Sequence, residues 1–411
     1  MMRILYVTWD SPDVNYLESL FVPILSGLEK HGFVFDVLQF SWGSKEVSNR
    51  AKTACEQAGI GYRRVPVLRR FGPIGPMMTA IMGGAVITRE MRVRGSDALL
   101  VRGIMPSLAA LRLVRKKGIS LALDMDGLQL DERIDFAGRS PLSLQHRLLR
   151  DVEYRVLHQA RTVMVRTKAA AQVAAARAGA GFDAQRLFIV GNGRDGAIFK
   201  PVSEPDRREI RSELGFDLDA PLLVYAGSYG PQYRFDRMFD LFDAVRKLAP
   251  QAGLLLLTTA LEAVTARIAA DRPEYKDKCQ VRRVAPREIP RHLAAGDVGL
   301  AFRDPTFATQ AVQPIKLGEY LLCGLIVAGT PDVGGVDDAI ADGAFFPVDD
   351  SPAGVTETAV RIIAALPLRA RYADAARHAG LGQFSLDSTI AGYAEALALS
   401  GGQNKMGEIQ T

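Results

Sequence analysis

The sequence predicts an α/β protein made of two doubly wound parallel-sheet domains, and three observations carry that reading. Two successive sets of short apolar strands alternate with helix-period segments. A proline-marked, charged stretch separates the sets, and 411 residues exceed what one compact core normally organises. In the first set, Arg3 to Thr8 reads as a strand, Glu18 to His31 as a helix and Phe33 to Phe40 as a second strand. Further strands fall at Ala98 to Val101, Ser120 to Leu123, Thr162 to Arg166 and Leu187 to Val190, with helices at 106–117, 144–160 and 168–178. Such apolar runs suit a parallel sheet covered on both faces.

The second set begins with the strand Leu222 to Ala226 and continues as Gly253 to Thr258, Cys279 to Val284, Val298 to Ala301 and 325–328. Helices at 234–248, 261–270, 287–295 and 315–323 lie between these strands. Expected domain limits are 1–200 and 201–385, with Pro201, Pro205 and Glu204 to Arg211 marking the linker. A helix within 386–400 is expected to pack back on the first domain, and the polar residues 401–411 to form a disordered tail. Two sheets in tandem imply a cleft between them.

The net charge of +5 conceals an asymmetry. Residues 60–118 contain ten Arg and two Lys against only Glu90 and Asp97, leaving the remainder acidic. Contact with an anionic membrane surface or a phosphorylated acceptor is one reading, and a solvated arginine-rich surface the other. Within this region, residues 71–88 carry no charge and are flanked by arginines. Met78, Ile81, Met82, Ala85 and Val86 fit the inward stripe of a domain helix, the preferred reading, or a face for a bilayer. Cys55, Cys279 and Cys323 show no disulfide or zinc spacing and read as small buried hydrophobes. No apolar run reaches the ~18 residues of a membrane span, and the start lacks a cleavable apolar leader. The expected location is the cytoplasm, with the inner face of the cell membrane as an extension of it.

Chemistry concentrates in Val312 to Thr330, where Lys316 and Glu319 share a short helix leading into an apolar strand. A helix N-terminus offers unpaired N–H groups to a pyrophosphate, Lys316 adds a full charge, and Glu319 can accept bonds from both ribose hydroxyls. An exposed amphipathic helix would show the same residues. Three further segments join it: Ile189 to Pro201, containing Asn192-Gly193-Arg194-Asp195, Leu222 to Gly230, a strand ending in Gly227-Ser228, and Leu123 to Asp135. Asn192-Gly193 reads as a tight turn with positive φ, and Asn192 and Asp195 as mainly structural.

Together these segments resemble the retaining glycosyltransferases of family four, bacterial polysaccharide type, from the first strand to about Tyr393. The resemblance implies a GT-B fold, two Rossmann-like domains facing across a cleft, and transfer of a sugar from a UDP- or GDP-sugar to a glycan, lipid-linked or small acceptor. It implies no metal and no cofactor, and no nucleic-acid partner. Catalytic roles fall to Asp126, Arg234 and Lys316. Gly227, Ser228, Arg303, Thr309, Gln310 and Glu319 are the expected nucleotide-sugar contacts, and Asp10, Arg102 and Glu132 lie on the acceptor side. The sequence departs from the family in two places. Ser228 stands where an arginine is usual, leaving Arg234 with Lys316 or Arg303 to hold the diphosphate, and Ala311 stands where a first glutamate is usual. A silent sugar-nucleotide-binding or assembly protein, or a nucleotide-sugar epimerase, are the alternatives. No Gly-x-Gly-x-x-Gly follows the first strand, which disfavours a nicotinamide enzyme.

Overall fold

The structure is a computed structural model that describes the chain except residues 12–15, 71, 332, 333, 335, 337–342 and 402–411. The expected tail therefore lies almost wholly outside the described residues. The chain forms two compact units, one comprising Met1–Gly191 with the chain from Thr389 on, the other Asn192–Ser388.

The first unit is built on seven parallel strands: β1 (Met2–Asp10), β2 (Phe33–Ser41), β3 (Gly61–Pro66), β4 (Ala98–Arg102), β5 (Ser120–Asp124), β6 (Thr162–Val165) and β7 (Leu187–Ile189). Their spatial order is β3-β2-β1-β4-β5-β6-β7. Register sets Asp10 opposite Ser41 and Arg102 opposite Asp124, so polar groups gather where the apolar strands end. The helices are α1 (Val22–Gly27), α2 (Lys45–Gln57), α3 (Ile74–Arg94), α4 (Ile104–Lys117), α5 (Gln129–Asp135), α6 (Leu144–Gln159) and α7 (Lys168–Ala178). Side-chain caps start several of them. Ser143 accepts from the His146 amide at 3.2 Å, and Thr167 from that of Ala170 at 3.0 Å.

The second unit has six parallel strands, β8 (Leu222–Ala226), β9 (Gly253–Leu257), β10 (Cys279–Arg282), β11 (Val298–Ala301), β12 (Ile326–Gly329) and β13 (Phe345–Pro347), in the order β10-β9-β8-β11-β12-β13. Helices α8 (Glu204–Glu213), α9 (Phe235–Leu248), α10 (Leu261–Asp271), α11 (Ile289–Ala294) and α12 (Ile315–Leu322) are followed by α13 (Pro352–Ala365) and α14 (Arg369–Gln383), and α15 (Leu386–Gly401) belongs from Thr389 on to the first unit. Leu222 to Ala226 and Leu254 to Leu257 are buried throughout, between one apolar layer that includes Phe239 and Phe242 and another that includes Leu317 and Leu321.

Four expectations are corrected. The helix predicted at Glu18 to His31 is three short pieces, a π-turn at Leu17–Phe21, α1, and a 3₁₀ turn at Leu28–His31, because Pro23 has no N–H for the regular ladder. Glu204 to Arg211 is no linker. It folds as α8 behind a Ser203 cap and buries Arg207 and Arg211 on the two oxygens of Asp297, at 2.5 and 2.6 Å. Asn192-Gly193 makes no positive-φ turn, since neither residue has a positive φ. Instead Arg194 bridges in parallel to Ser385, and the turn comes at Asp195, whose carboxylate accepts from the Ala197 amide at 2.7 Å. Finally, Met78, Ile81, Met82 and Ala85 are exposed, and the inward stripe of α3 is Ala80, Gly83, Ile87, Glu90 and Met91. Hydrophobicity alone could not choose between faces of a helix that is apolar nearly all round.

Candidate functional site

Two clusters of chemically useful side chains lie at the carboxyl edges of the two sheets. In the first unit, Asp10 ends β1, Arg102 ends β4 and Asp124 ends β5. Asp10 is buried and accepts from Gln39 Nε2 at 2.8 Å and Thr8 Oγ1 at 3.1 Å. Burial pushes its carboxyl above the usual aspartate range, and Arg102 opposes that shift. The Arg102 guanidinium lies 2.5 Å from Asp126, 3.8 Å from Asp10 and 4.3 Å over the Phe21 ring. Behind it, Arg166 and the Tyr393 hydroxyl both bond the fully buried Asp124, at 2.7 Å each.

Asp126 is the part of this cluster that reaches solvent, its side chain 21% exposed. It is also the one non-glycine residue with positive φ among the described residues, at 49°, and Gly127 follows at 84°. That left-handed pair turns the chain sharply off β5 and costs a non-glycine residue on the order of 1 kcal/mol or more. Glu132 sits on α5, half-buried. The neighbouring Asp131 is tied to Arg150 and Arg177 at 3.2 and 2.8 Å.

In the second unit, Gly227 follows the end of β8, and α12 lies alongside it. The Lys316 ammonium sits 4.1 Å above the Tyr225 ring and 4.2 Å above that of Tyr233, and donates to the Tyr225 hydroxyl at 2.9 Å. That hydroxyl donates in turn to the Ser228 carbonyl at 2.5 Å. Among the described residues no carboxylate lies within ion-pair distance of Lys316. Burial lowers its pKa well below the lysine range, Arg303 lowers it further, and Glu319 opposes both. A Cβ on Gly227 would come within 2.6 Å of the ammonium, so glycine is what lets this charge meet the end of β8.

Glu319, one turn along α12, is buried and lies 2.9 Å from Arg194 Nε. Burial raises its pKa, with Arg194 and Lys316 pulling the other way. Arg194 is a residue the sequence reading passed over, although it occupies the variable place of the Asn-Gly-x-Asp motif. It is anchored at both backbone ends, its N–H donating to the Phe384 carbonyl at 2.9 Å and its carbonyl accepting from Leu386 at 2.8 Å. Asn192 is held to the loop before α12, its N–H donating to Gln313 Oε1 at 2.7 Å.

The remaining predicted residues divide. Arg303 stands over the Tyr233 ring at 5.6 Å, close to Lys316. Ser228 is exposed and joins this group through its carbonyl. Thr309 is buried with its hydroxyl bonded within its own loop, to Asp304 and Thr306 at 2.9 Å. Gln310 donates to the Phe307 carbonyl at 2.7 Å. The fully buried Ala311 places a methyl group where a second carboxylate would stand in the resembled family. Arg234 precedes α9 and is held by Asp350 at 2.6 Å and Asp304 at 3.6 Å. Beside it a cleft of about 720 Å³ is lined by Tyr229, Tyr233, Arg234, Arg237, Arg267 and Asp304, with neither Lys316 nor Glu319 in its wall. Its arginines are already met by aspartates, which makes it a poorer anion site than the place occupied by Lys316. No group of His, Cys, Asp and Glu suited to a metal ion occurs among the described residues.

Two parallel sheets with polar groups at their carboxyl edges define the GT-B class, and comparison with known proteins agrees. Residues 23–193 match the model of the glycosyl transferase 4-like domain. A glycosyltransferase from Rickettsia africae superposes with a TM-score of 0.73 at 13% identity, covering 98% of this chain and 99% of that one. Anabaena Alr3699/HepE in complex with UDP gives 0.68 at 18% identity, over 97% and 100%. UDP-GlcNAc 2-epimerase from Neisseria meningitidis, bound to UDP-GlcNAc, gives 0.60 at 12%, over 97% and 100%. No curated protein matched by sequence. The chain thus has the GT-B fold, and residues 23–193 are similar to the glycosyl transferase 4-like domain. Among the described residues no helix is long and apolar enough to cross a membrane.

Proposed function

We propose that the protein transfers a sugar from a nucleotide-diphosphate donor, UDP-linked in the first instance, to a glycan, lipid-linked or small acceptor, with retention at the anomeric carbon. The observation that carries this reading is Lys316, a cation held between two tyrosine rings against Gly227 with no carboxylate among the described residues to neutralise it. A diphosphate supplies the missing charge. As the sugar–phosphate bond breaks, negative charge grows on the leaving diphosphate, and a cation already in place stabilises that state more than the bound donor. Glu319 accepts from the ribose hydroxyls, sharing its oxygens with Arg194. Arg234 assists where Asp350 releases it, and Arg303 and the Ser228 backbone complete the donor contacts. Thr309 and Gln310 shape the sugar end through their loop.

Asp126, strained and partly exposed beside Arg102, orients the acceptor hydroxyl, with Asp10 on the other side of Arg102 and Glu132 contributing from α5. This chemistry calls for no metal or cofactor, because positive side chains and amides meet the diphosphate. HepE has been crystallised with UDP-glucose, which supports the choice of base. The 2-epimerase shares the fold, and Ser228 and Ala311 depart from the transferase pattern, so epimerisation or silent binding are the competing readings. A thermal-shift panel of sugar nucleotides followed by transfer assays separates the three. Ligand at ~100 times its dissociation constant adds about 2.7 kcal/mol of stability. Transfer supports the proposal, an epimer formed without acceptor replaces it, and binding without turnover leaves the silent protein.

A further inference from the structure

Helix α3 has a second face that the domain does not use. Ile74, Met78, Ile81, Met82 and Ala85 repeat at helical spacing, and Ile74, Ile81 and Met82 are 59%, 50% and 68% exposed. Arg69 and Arg70 precede this face, and Arg89 and Arg92 continue it two turns on, all exposed. The basic segment thus divides by task. Arg63 and Arg94 are held by Glu90 and Asp36 inside the domain, whereas Arg70, Arg89 and Arg92 have no carboxylate partner among the described residues.

A second exposed apolar group, Leu142, Leu144 and Leu148, lies around the start of α6, with the exposed Arg139 before it and Arg147 within it. The two groups are neighbours by construction. Ala80 of α3, Ile104 and Met105 of α4, and Leu149 and Val152 of α6 form one buried cluster. In a parallel sheet each following helix starts from the carboxyl edge, so the apolar starts of both patches lie toward the edge that carries Asp10, Arg102 and Asp126, while Arg89 and Arg92 extend the α3 face away from it.

We propose that this surface of the first unit, the exposed side of α3 with the start of α6, docks on an anionic phospholipid bilayer. The apolar start of α3 and the leucines before and within α6 enter the headgroup boundary, and Arg69, Arg70, Arg89, Arg92, Arg139 and Arg147 meet lipid phosphates. Interfacial helices combine these features, a large apolar face with arginines around it. Charge selects this occupant over a second copy of the chain, because self-docking would set arginine against arginine with no acidic residue on the α3 face to relieve it. The surface stands on this geometry alone. That it brings a lipid-linked acceptor toward Asp126 rests on the transferase reading.

The test is co-sedimentation of the full chain with vesicles of phosphatidylcholine, with and without phosphatidylglycerol. Retention is expected only on the anionic vesicles and should fade as salt rises. The double variant Ile81→Glu/Met82→Glu should lower partition at least about tenfold, and Arg89→Ala/Arg92→Ala about thirtyfold, a kilocalorie-scale loss for each arginine. All four positions are exposed, so thermal unfolding should not change, and the UDP-induced thermal shift should persist in every variant. Lost docking with intact UDP binding separates this surface from the donor site. Absence of retention at low salt overturns the proposal, as does equal retention of the Ile81→Glu/Met82→Glu variant. A wild-type dimer in light scattering that this variant dissociates overturns it too, since the face then belongs to a second copy.

Discussion

The carboxyl edges of the two sheets hold similar numbers of charges in opposite states. In the first unit, Arg102 and Arg166 are met by Asp10, Asp124 and Asp126, and Tyr393 closes the group, so each arginine has a carboxylate within the domain. In the second, Lys316 has aromatic rings and a hydroxyl but no carboxylate among the described residues, while the nearby Glu319 is held by Arg194 instead. A closed network maintains a shape. An open cation waits for an anion, because a buried charge without a counter-charge costs several kcal/mol unless a partner arrives or the proton leaves. Under the proposed transferase function, the contrast favours the second sheet for diphosphate binding and the first for positioning, with Asp126 as the partly exposed exception.

The largest effect expected from this contrast is on stability. Asp124→Ala leaves the buried Arg166 without its carboxylate and should cost about 3–5 kcal/mol in denaturant unfolding. A loss under 1 kcal/mol would show that the first network is not closed in the sense argued. Next comes Lys316→Ala, which should lower turnover by roughly 10²–10³ with a smaller loss of donor affinity, as for other groups that meet charge developing in the transition state. Equal losses in both would make Lys316 a simple binding residue.

Glu319→Gln should weaken UDP by about 1.5–3 kcal/mol, the range for a bond to a charged acceptor. Arg194 complicates that number, so the pair is best resolved as a double-mutant cycle with Arg194→Ala, using calorimetry. Additive losses would mean that Arg194 does not position Glu319.

The smallest effect concerns pH. Burial holds the Lys316 pKa below the ordinary lysine value, so the unliganded protein sheds this proton earlier than an unfolded chain does. Between the two values the unfolded chain binds more protons, and this residue adds stability as pH rises. A diphosphate binds the charged form and restores the proton, so UDP affinity should fall with rising pH across the same window. Proton uptake on binding, read from heats in buffers of different ionisation enthalpy, checks the sign. Its absence in wild type, or its persistence in Lys316→Met, would place the linkage elsewhere.

The sequence by itself determined the two-sheet architecture, because buried parallel strands must be apolar along their whole length and therefore stand out in the chain. It also brought out the Lys316 and Glu319 pair, since motif spacing survives on a short helix. It did not reveal β3, an edge strand whose Gly-Tyr-Arg-Arg-Val-Pro sequence is only half-buried, or α8, whose charged residues read as linker until Asp297 is placed against Arg207 and Arg211. Tertiary structure alone decided which face of α3 meets the domain, which carboxylates neutralise which arginines, and that Arg194 holds Glu319. Each of these depends on residues distant in sequence, 125 positions apart for the last pair, and local patterning carries no information about a partner that only folding brings near.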